Sequence, residues 1–250
     1  MHLACTAFLT HMHTGDRPAD AIDAGGVLPG YAGILVRDGC HTGYGHLTDA
    51  LRAWCGAHLL RGLKDLYESE LGKQDRAQQM AALLIEGRDA ARSARAEGNK
   101  ALDQDVPAGL AGRYRAIAAS GLAASLCRQT ATAKDACRIA RRFIKYEDMI
   151  LRFITRPGPD IFTNNQAGQT IRPVKVQQRS SGGSWRTLDG LAEFAIVQSC
   201  LSTASKWGIS KPDAPAASST APPGCHPDPN PNPADNTLNY PCHSKPSDAC

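Results

Sequence analysis

Apolar and polar residues alternate loosely over residues 2–13, with Leu3, Cys5 and Ala7 on one face. That period predicts a strand, folded back as a hairpin. Asp16 and Pro18 then mark a helix start, because Asp caps free N–H groups and Pro is tolerated in the first turn. Gly25-Gly26 stops that short helix. In GYAGILVRDG, residues 30–39, Ile34-Leu35-Val36 is an apolar run bounded by glycines and closed by Asp38-Gly39, which predicts a short buried strand over 32–38. Leu51 to Cys55 suggests another. From His58 the period changes to helical, with Leu59, Leu63, Leu66 and Tyr67 in step. Stretches rich in Ala, Arg and Glu carry the helical reading to about Arg156, where Pro157-Gly158-Pro159 breaks it. Leu188, Leu191, Phe194, Val197 and Leu201 then predict a final amphipathic helix ending near Gly208.

Residues 212–250 follow a different rule. Ten of the sixteen prolines lie there and almost no aliphatic residue does, so this tail has nothing with which to build a core and is expected to be disordered. Cys225-His226, Cys242-His243 and Cys250 invite a zinc reading, but their spacing does not match the short Cys-Cys and His-His intervals of structural zinc sites.

Charge adds a second pattern to the first. Wound as one helix, residues 138–156 place Arg138, Arg141, Arg142, Lys145, Arg152 and Arg156 within an arc of roughly 100°. Ile139, Phe143, Tyr146, Ile150, Phe153 and Ile154 fill the neighbouring arc. Such a stripe is either a solvated face or a contact for a nucleic-acid backbone. The net charge of +4 permits a polyanionic partner without requiring one. Nine cysteines, an odd number with no C-x-x-C pair, fit reduced thiols in a reducing compartment. The opening residues MHLACTAFLTHMHTG have neither a cationic start nor a long apolar run, so no secretory signal is expected. No stretch reaches the ~18 consecutive apolar residues of a membrane span.

Three places carry candidate chemistry. Asp38 stands at the carboxyl end of an apolar strand, where α/β sheets place reactive groups, although Asp-Gly after a strand is also an ordinary turn. Cys55 and His58 share a C-x-x-H spacing at a strand-to-helix junction, with no second ligand pair beside them. The segment FTNNQAGQTIRPVKVQQRSSGG, residues 162–183, has no acidic residue and sets Arg172, Lys175 and Arg179 within eight positions. That density can neutralise phosphates, and a solvated surface accounts for it equally well.

Taken in order, GILVRDGCHTGYGHL, AWCGAHLLRGLK, a long helical insertion, NNQAGQTIRPVKVQQRSSGG and FAIVQSCLSTASKWG resemble bacterial transposases of the IS66 insertion-sequence family. The resemblance covers residues 1–211 and includes Cys55, His58, Arg61, Asn164 and Asn165. It implies an α/β fold with an RNase H-like mixed sheet. The implied divisions are 1–57 and 158–211 for the two parts of the catalytic core, 58–157 for the helical insertion and 212–250 for the tail. It further implies DNA transposition by two aspartates and a glutamate that bind Mg²⁺. Element ends and target DNA are the implied partners, with homo-oligomers or mixed oligomers with intact transposase, no membrane, and a cytoplasmic, nucleoid-associated location. Arg172, Lys175, Arg179, Arg138, Arg141 and Lys145 are the residues expected to meet DNA.

The resemblance places the second aspartate at Asp38. The first belongs to a strand upstream of HLACTAFLT, so it is expected to be missing and with it the central strand of the sheet. The glutamate follows Asn-Asn-x-Ala. Here Asn164-Asn165-Gln166-Ala167 is intact and the next residue is Gly168, followed by Gln169 where the family has arginine. Two-metal strand cleavage needs carboxylates that hold both ions against the scissile phosphate. At an effective dielectric of about 20, each missing carboxylate forgoes roughly 8 kcal/mol of gross attraction to a nearby dication. Asp160 and Asp189 are the nearest acidic residues in sequence, both outside the motif. The expectation is a copy without catalysis, with a non-catalytic DNA-binding protein that competes with intact transposase as the alternative.

Overall fold

The computed structural model describes residues 2–15, 19–38, 44–70, 74–126, 128–180, 187–210 and 212–214. Its elements run β1 (His2–Cys5), β2 (Thr10–His13), α1 (Ala19–Asp23), β3 (Ile34–Arg37), β4 (Leu51–Trp54), α2 (Gly56–Ser69), α3 (Asp75–Ala96), α4 (Asp105–Leu126), α5 (Ala131–Lys145), α6 (Glu147–Ile150), α7 (Arg152–Thr155), α8 (Asn165–Ser180) and α9 (Leu188–Lys206). The class is α/β and mostly helical. Among the described residues the strands form two separate pairs, β1-β2 antiparallel and β3-β4 parallel. The chain divides into two compact units, residues 17–169 and residues 1–16 with 170–250, the division falling inside α8. Asp16 and Pro18, the residues read as a helix start, lie outside the described residues, as do 215–250 of the tail.

In the unit of residues 17–169, α2, α3, α4 and α5 pack successively around one core. Leu83, Leu84 and Tyr114 are fully buried in it. Helical spacing explains this: Leu59, Leu63 and Leu66 of α2 meet Ala77, Met80, Leu83 and Leu84 of α3. Gly87 lets α7 approach α3, since a Cβ there would lie 2.8 Å from Ile154 Cδ1. Thr130 caps α5, its side chain accepting from Ala133 N at 3.1 Å.

The segment 138–156 is not one helix. It breaks at Tyr146 and again at Leu151. A straight helix would spread Ile150, Leu151, Phe153 and Ile154 over about 160°. The breaks turn all four inward, and all four are buried. They also end the basic stripe. Arg142 lies over the Trp54 ring at 5.5 Å, and Arg152 Nε donates to Arg52 O at 2.8 Å.

Tyr114 shows how a polar group is kept in this core. Its hydroxyl donates to Phe143 O at 2.8 Å. Burial, with the nearby Glu147 charge, pushes the phenol well above its ordinary value. The folded state therefore favours the neutral phenol. That contribution is complete below the unfolded pKa of about 10 and is lost as pH rises above it, because the unfolded chain ionises first. Tyr114→Phe is expected to cost about 1–3 kcal/mol near neutrality, for the carbonyl left unpaired. It should also flatten the decline of stability above about pH 10. Denaturant melts of both proteins at neutral and alkaline pH check both effects.

The second unit joins the β1-β2 hairpin to α9. The side of α9 that meets β2 is only partly the predicted stripe: Phe194 packs on the small core that holds Met12, whereas Leu188 is 79% exposed and Val197 52%. Small and hydroxylated residues take that place. Thr10 N donates to Thr203 Oγ1 at 3.0 Å and Met12 N to Ser199 Oγ at 2.8 Å, while the Thr10 and Ser202 hydroxyls lie 2.9 Å apart. Thr10 and Met12 are alternate residues, so their N–H groups point to the edge of β2 away from β1. Lys206 Nζ closes the hairpin turn by donating to Thr6 O at 2.7 Å and Leu9 O at 2.6 Å, and Trp207 Nε1 donates to Phe8 O at 2.9 Å. Met12, Val174 and Ala195 form the small core of this unit.

Candidate functional site

Parallel pairing aligns the carboxyl ends of β3 and β4, where α/β folds place their chemistry. Arg37 pairs with Trp54, and Cys55 N donates to Arg37 O at 2.8 Å. Asp38 and Cys55, the next residue on each strand, therefore leave the pair side by side. Asp38 is exposed and Cys55 is fully buried. α2 starts directly after Cys55.

Cys55 ties the NNQA segment to this edge. Gly56 N, an amide in the first turn of α2, donates to Phe162 O at 2.7 Å, and Asn164 N donates to Cys55 Sγ at 3.3 Å. Gly56 is needed for this approach, because a Cβ there would lie 2.5 Å from the Phe162 ring. Asn165 then opens α8, and Gly168 N donates to Asn164 O at 3.1 Å. Hydrogen bonds thus lead from the strand end beside Asp38, through Cys55 and Asn164, to Gly168. Phe162, packed edge-on against Phe153 at 4.8 Å, anchors the segment in the core.

Nothing in the backbone demands glycine at 168. Its φ is not positive, and a Cβ there would meet nothing within 4 Å. The position is exposed in the first turn of a helix that has no acidic residue in that turn. Gly168→Glu is therefore expected to stabilise the protein by about 1–2 kcal/mol, from helix propensity and a negative charge near the helix N-terminus. Thermal melts of the two proteins measure it.

Among the described residues, the donors at the two motif positions are too few for a pair of divalent ions. Asp38 supplies one carboxylate, and Gly168 supplies no ligand atom. Among the described residues no group of three or more His, Cys, Asp or Glu side chains is placed to hold a metal. Asp160 is engaged elsewhere: Arg95 contacts its carboxylate at 3.4 Å and also donates to Pro157 O at 3.0 Å. Asp189 lies in the first turn of α9. His58 and Arg61 are exposed on α2, whereas Cys55 points into the core, so the C-x-x-H residues do not converge. The cysteines and histidines of the zinc reading lie outside the described residues.

Arg172, Lys175 and Arg179 are all exposed on α8, within about 60° of arc. Arg138, Arg141 and Lys145 are exposed on α5, Arg138 with Asp135 at 2.9 Å. Two features escaped the sequence reading. Arg37 is buried, its guanidinium 5.9 Å from the centre of the Tyr44 ring. The role of Cys55 as an acceptor for a distant amide carries no signal in its own neighbourhood. No helix among the described residues is long and apolar enough to cross a membrane.

No curated protein and no solved structure matches this chain. A model of the Transposase IS66 family matches residues 1–192, which takes in both strand pairs, the helical bundle, Asp38 and the NNQA segment with Gly168, and the chain belongs to that family.

Proposed function

We propose that this protein binds DNA through its transposase scaffold without performing metal-dependent strand cleavage at Asp38, and so competes with intact transposase for DNA. The observation that carries this reading is Gly168. A hydrogen-bonded framework leads to it, a longer side chain has room there, and glycine supplies no carboxylate. The family uses a divalent metal. Among the described residues Asp38 and Gly168 together set a charge of −1 against the +4 of two such ions, too little to hold them.

Contact with DNA is supported by two sets of exposed cations. α8 presents Arg172, Lys175 and Arg179 on one side with no acidic residue in the helix. α5 presents Arg138, Arg141 and Lys145. Phosphate contacts fix affinity and carry no base information, so binding through these residues is weak and indifferent to sequence. A gel-shift titration of duplex DNA tests this. The triple variant Arg172→Gln, Lys175→Gln, Arg179→Gln is expected to bind about tenfold or more weakly at low salt. Equal affinity would remove α8 from the interface.

A further inference from the structure

The corner between α4 and α5 holds an open concavity of about 370 Å³, within the ~300–1,000 Å³ range of ligand clefts. Arg128, Lys134, Arg138 and Arg141 line it, with no acidic residue among the lining. Lys134, Arg138 and Arg141 fall within about 60° on α5 and span about 10.5 Å of its axis. Two carboxylates lie close by. Glu70 takes Arg128 at 3.0 Å, an ion pair that is mostly screened from water, and Asp135 takes Arg138 at 2.9 Å in an exposed pair. The second is weak enough for a phosphate to displace. Among the described residues, Lys134 and Arg141 have no ion-pair partner.

Leu126 is 55% exposed, more than any other large apolar side chain described in this unit. Gln129 also lines the concavity and is exposed. Exposed cations, an exposed apolar side chain and an exposed amide match the parts of one nucleotide: phosphate, base face and base edge. A duplex meets a protein with its convex backbone and keeps its bases stacked inside, so it could use the cations alone.

We propose that this corner is a binding site for an unpaired DNA strand, with a phosphate on Lys134, Arg138 and Arg141 and a base against Leu126. The proposal rests on the reading that the protein binds DNA, and it assigns the α5 cations to a different form of DNA from the α8 cations.

Cys137 lines the same concavity and is partly exposed, so its alkylation reports occupancy. The full chain is treated with N-ethylmaleimide and the labelled peptides are resolved by mass. A single-stranded oligonucleotide of about 20 residues is expected to slow Cys137 labelling about tenfold at low salt, and a duplex at equal nucleotide concentration less than about twofold. Lys134→Gln with Arg141→Gln should abolish the protection, with Cys55, buried in the same unit, still unlabelled as the control for folding. Leu126→Ser should weaken the protection and leave its salt dependence as it was, which separates the apolar contact from the cations. Failure of the single strand to protect would overturn the proposal. Equal protection by duplex, or by inorganic phosphate alone, would overturn it too, by showing a plain cation patch. Either failure beside normal duplex gel shifts leaves the DNA-binding reading standing, whereas loss of all DNA binding removes both.

Discussion

Ser199→Ala combined with Thr203→Val is expected to unfold the hairpin–helix unit or leave it close to unfolding. Thr203 Oγ1 accepts from Thr10 N and also lies 3.3 Å from Thr10 O, to which it donates. Ser199 Oγ accepts from Met12 N. Thr10 and Met12 are both buried, so water cannot replace the lost partners. Two orphaned amides cost about 2–6 kcal/mol together. A core as small as Met12, Val174 and Ala195 gives little reserve, since a small unit seldom holds more than about 3–5 kcal/mol. The freed edge of β2 would also become a template for pairing with other chains. Ser205→Ala, at an exposed position of the same helix, should change nothing. Denaturant melts and size exclusion decide the matter. A monomeric double variant with the parent midpoint would show that the hydroxyls do not hold that edge.

The second large effect is on duplex DNA binding. Neutralising three phosphates through Arg172, Lys175 and Arg179 gives a slope of about −2.7 in log affinity against log salt, so affinity should fall about 40-fold between 50 and 200 mM salt. If the α5 cations joined them on the same duplex, the slope would double and the fall would approach about 2,000-fold. In the triple Gln variant the slope should shrink towards zero. A flat response in the parent protein would mean that counterion release does not drive binding. Preference for one sequence over others would place base-reading groups in the chain that this account does not contain.

The parts of the fold that were legible in the sequence are those set by short-range periodicity. The hairpin, the strands at 34–37 and 51–54, the helix after Cys55 and the helix ending near Gly208 all follow from local spacing and punctuation. The breaks at Tyr146 and Leu151 did not follow, because they answer to tertiary packing. Trp54, far back in the chain, holds Tyr146 and Arg142, and four nearly consecutive apolar residues must all turn inward. The face that α9 turns to β2 was only partly legible for a related reason, Phe194 alone of the stripe being packed on the Met12 core. Leucine spacing signals a core-facing side only where there is an apolar surface to meet, and here the neighbour is a strand edge that requires hydroxyl groups. The serines and threonine at 199, 202 and 203 carried that information, but only a structure with β2 beside them makes it readable. At the candidate site, the sequence motif located Asp38 and Gly168. The bridge between them through Cys55 and Asn164 consists of one thiol and three backbone amides, and it is invisible to any residue-type pattern.

The most direct test of the central claim is a strand-cleavage assay. The full chain is incubated with end-labelled DNA and Mg²⁺ or Mn²⁺, beside Asp38→Ala. No cleavage or strand transfer above background is expected in either protein, because Gly168 supplies no carboxylate to work with Asp38. Cleavage by the parent chain that disappears in Asp38→Ala would contradict it, since Asp38 would then be working with ligands drawn from elsewhere in the chain.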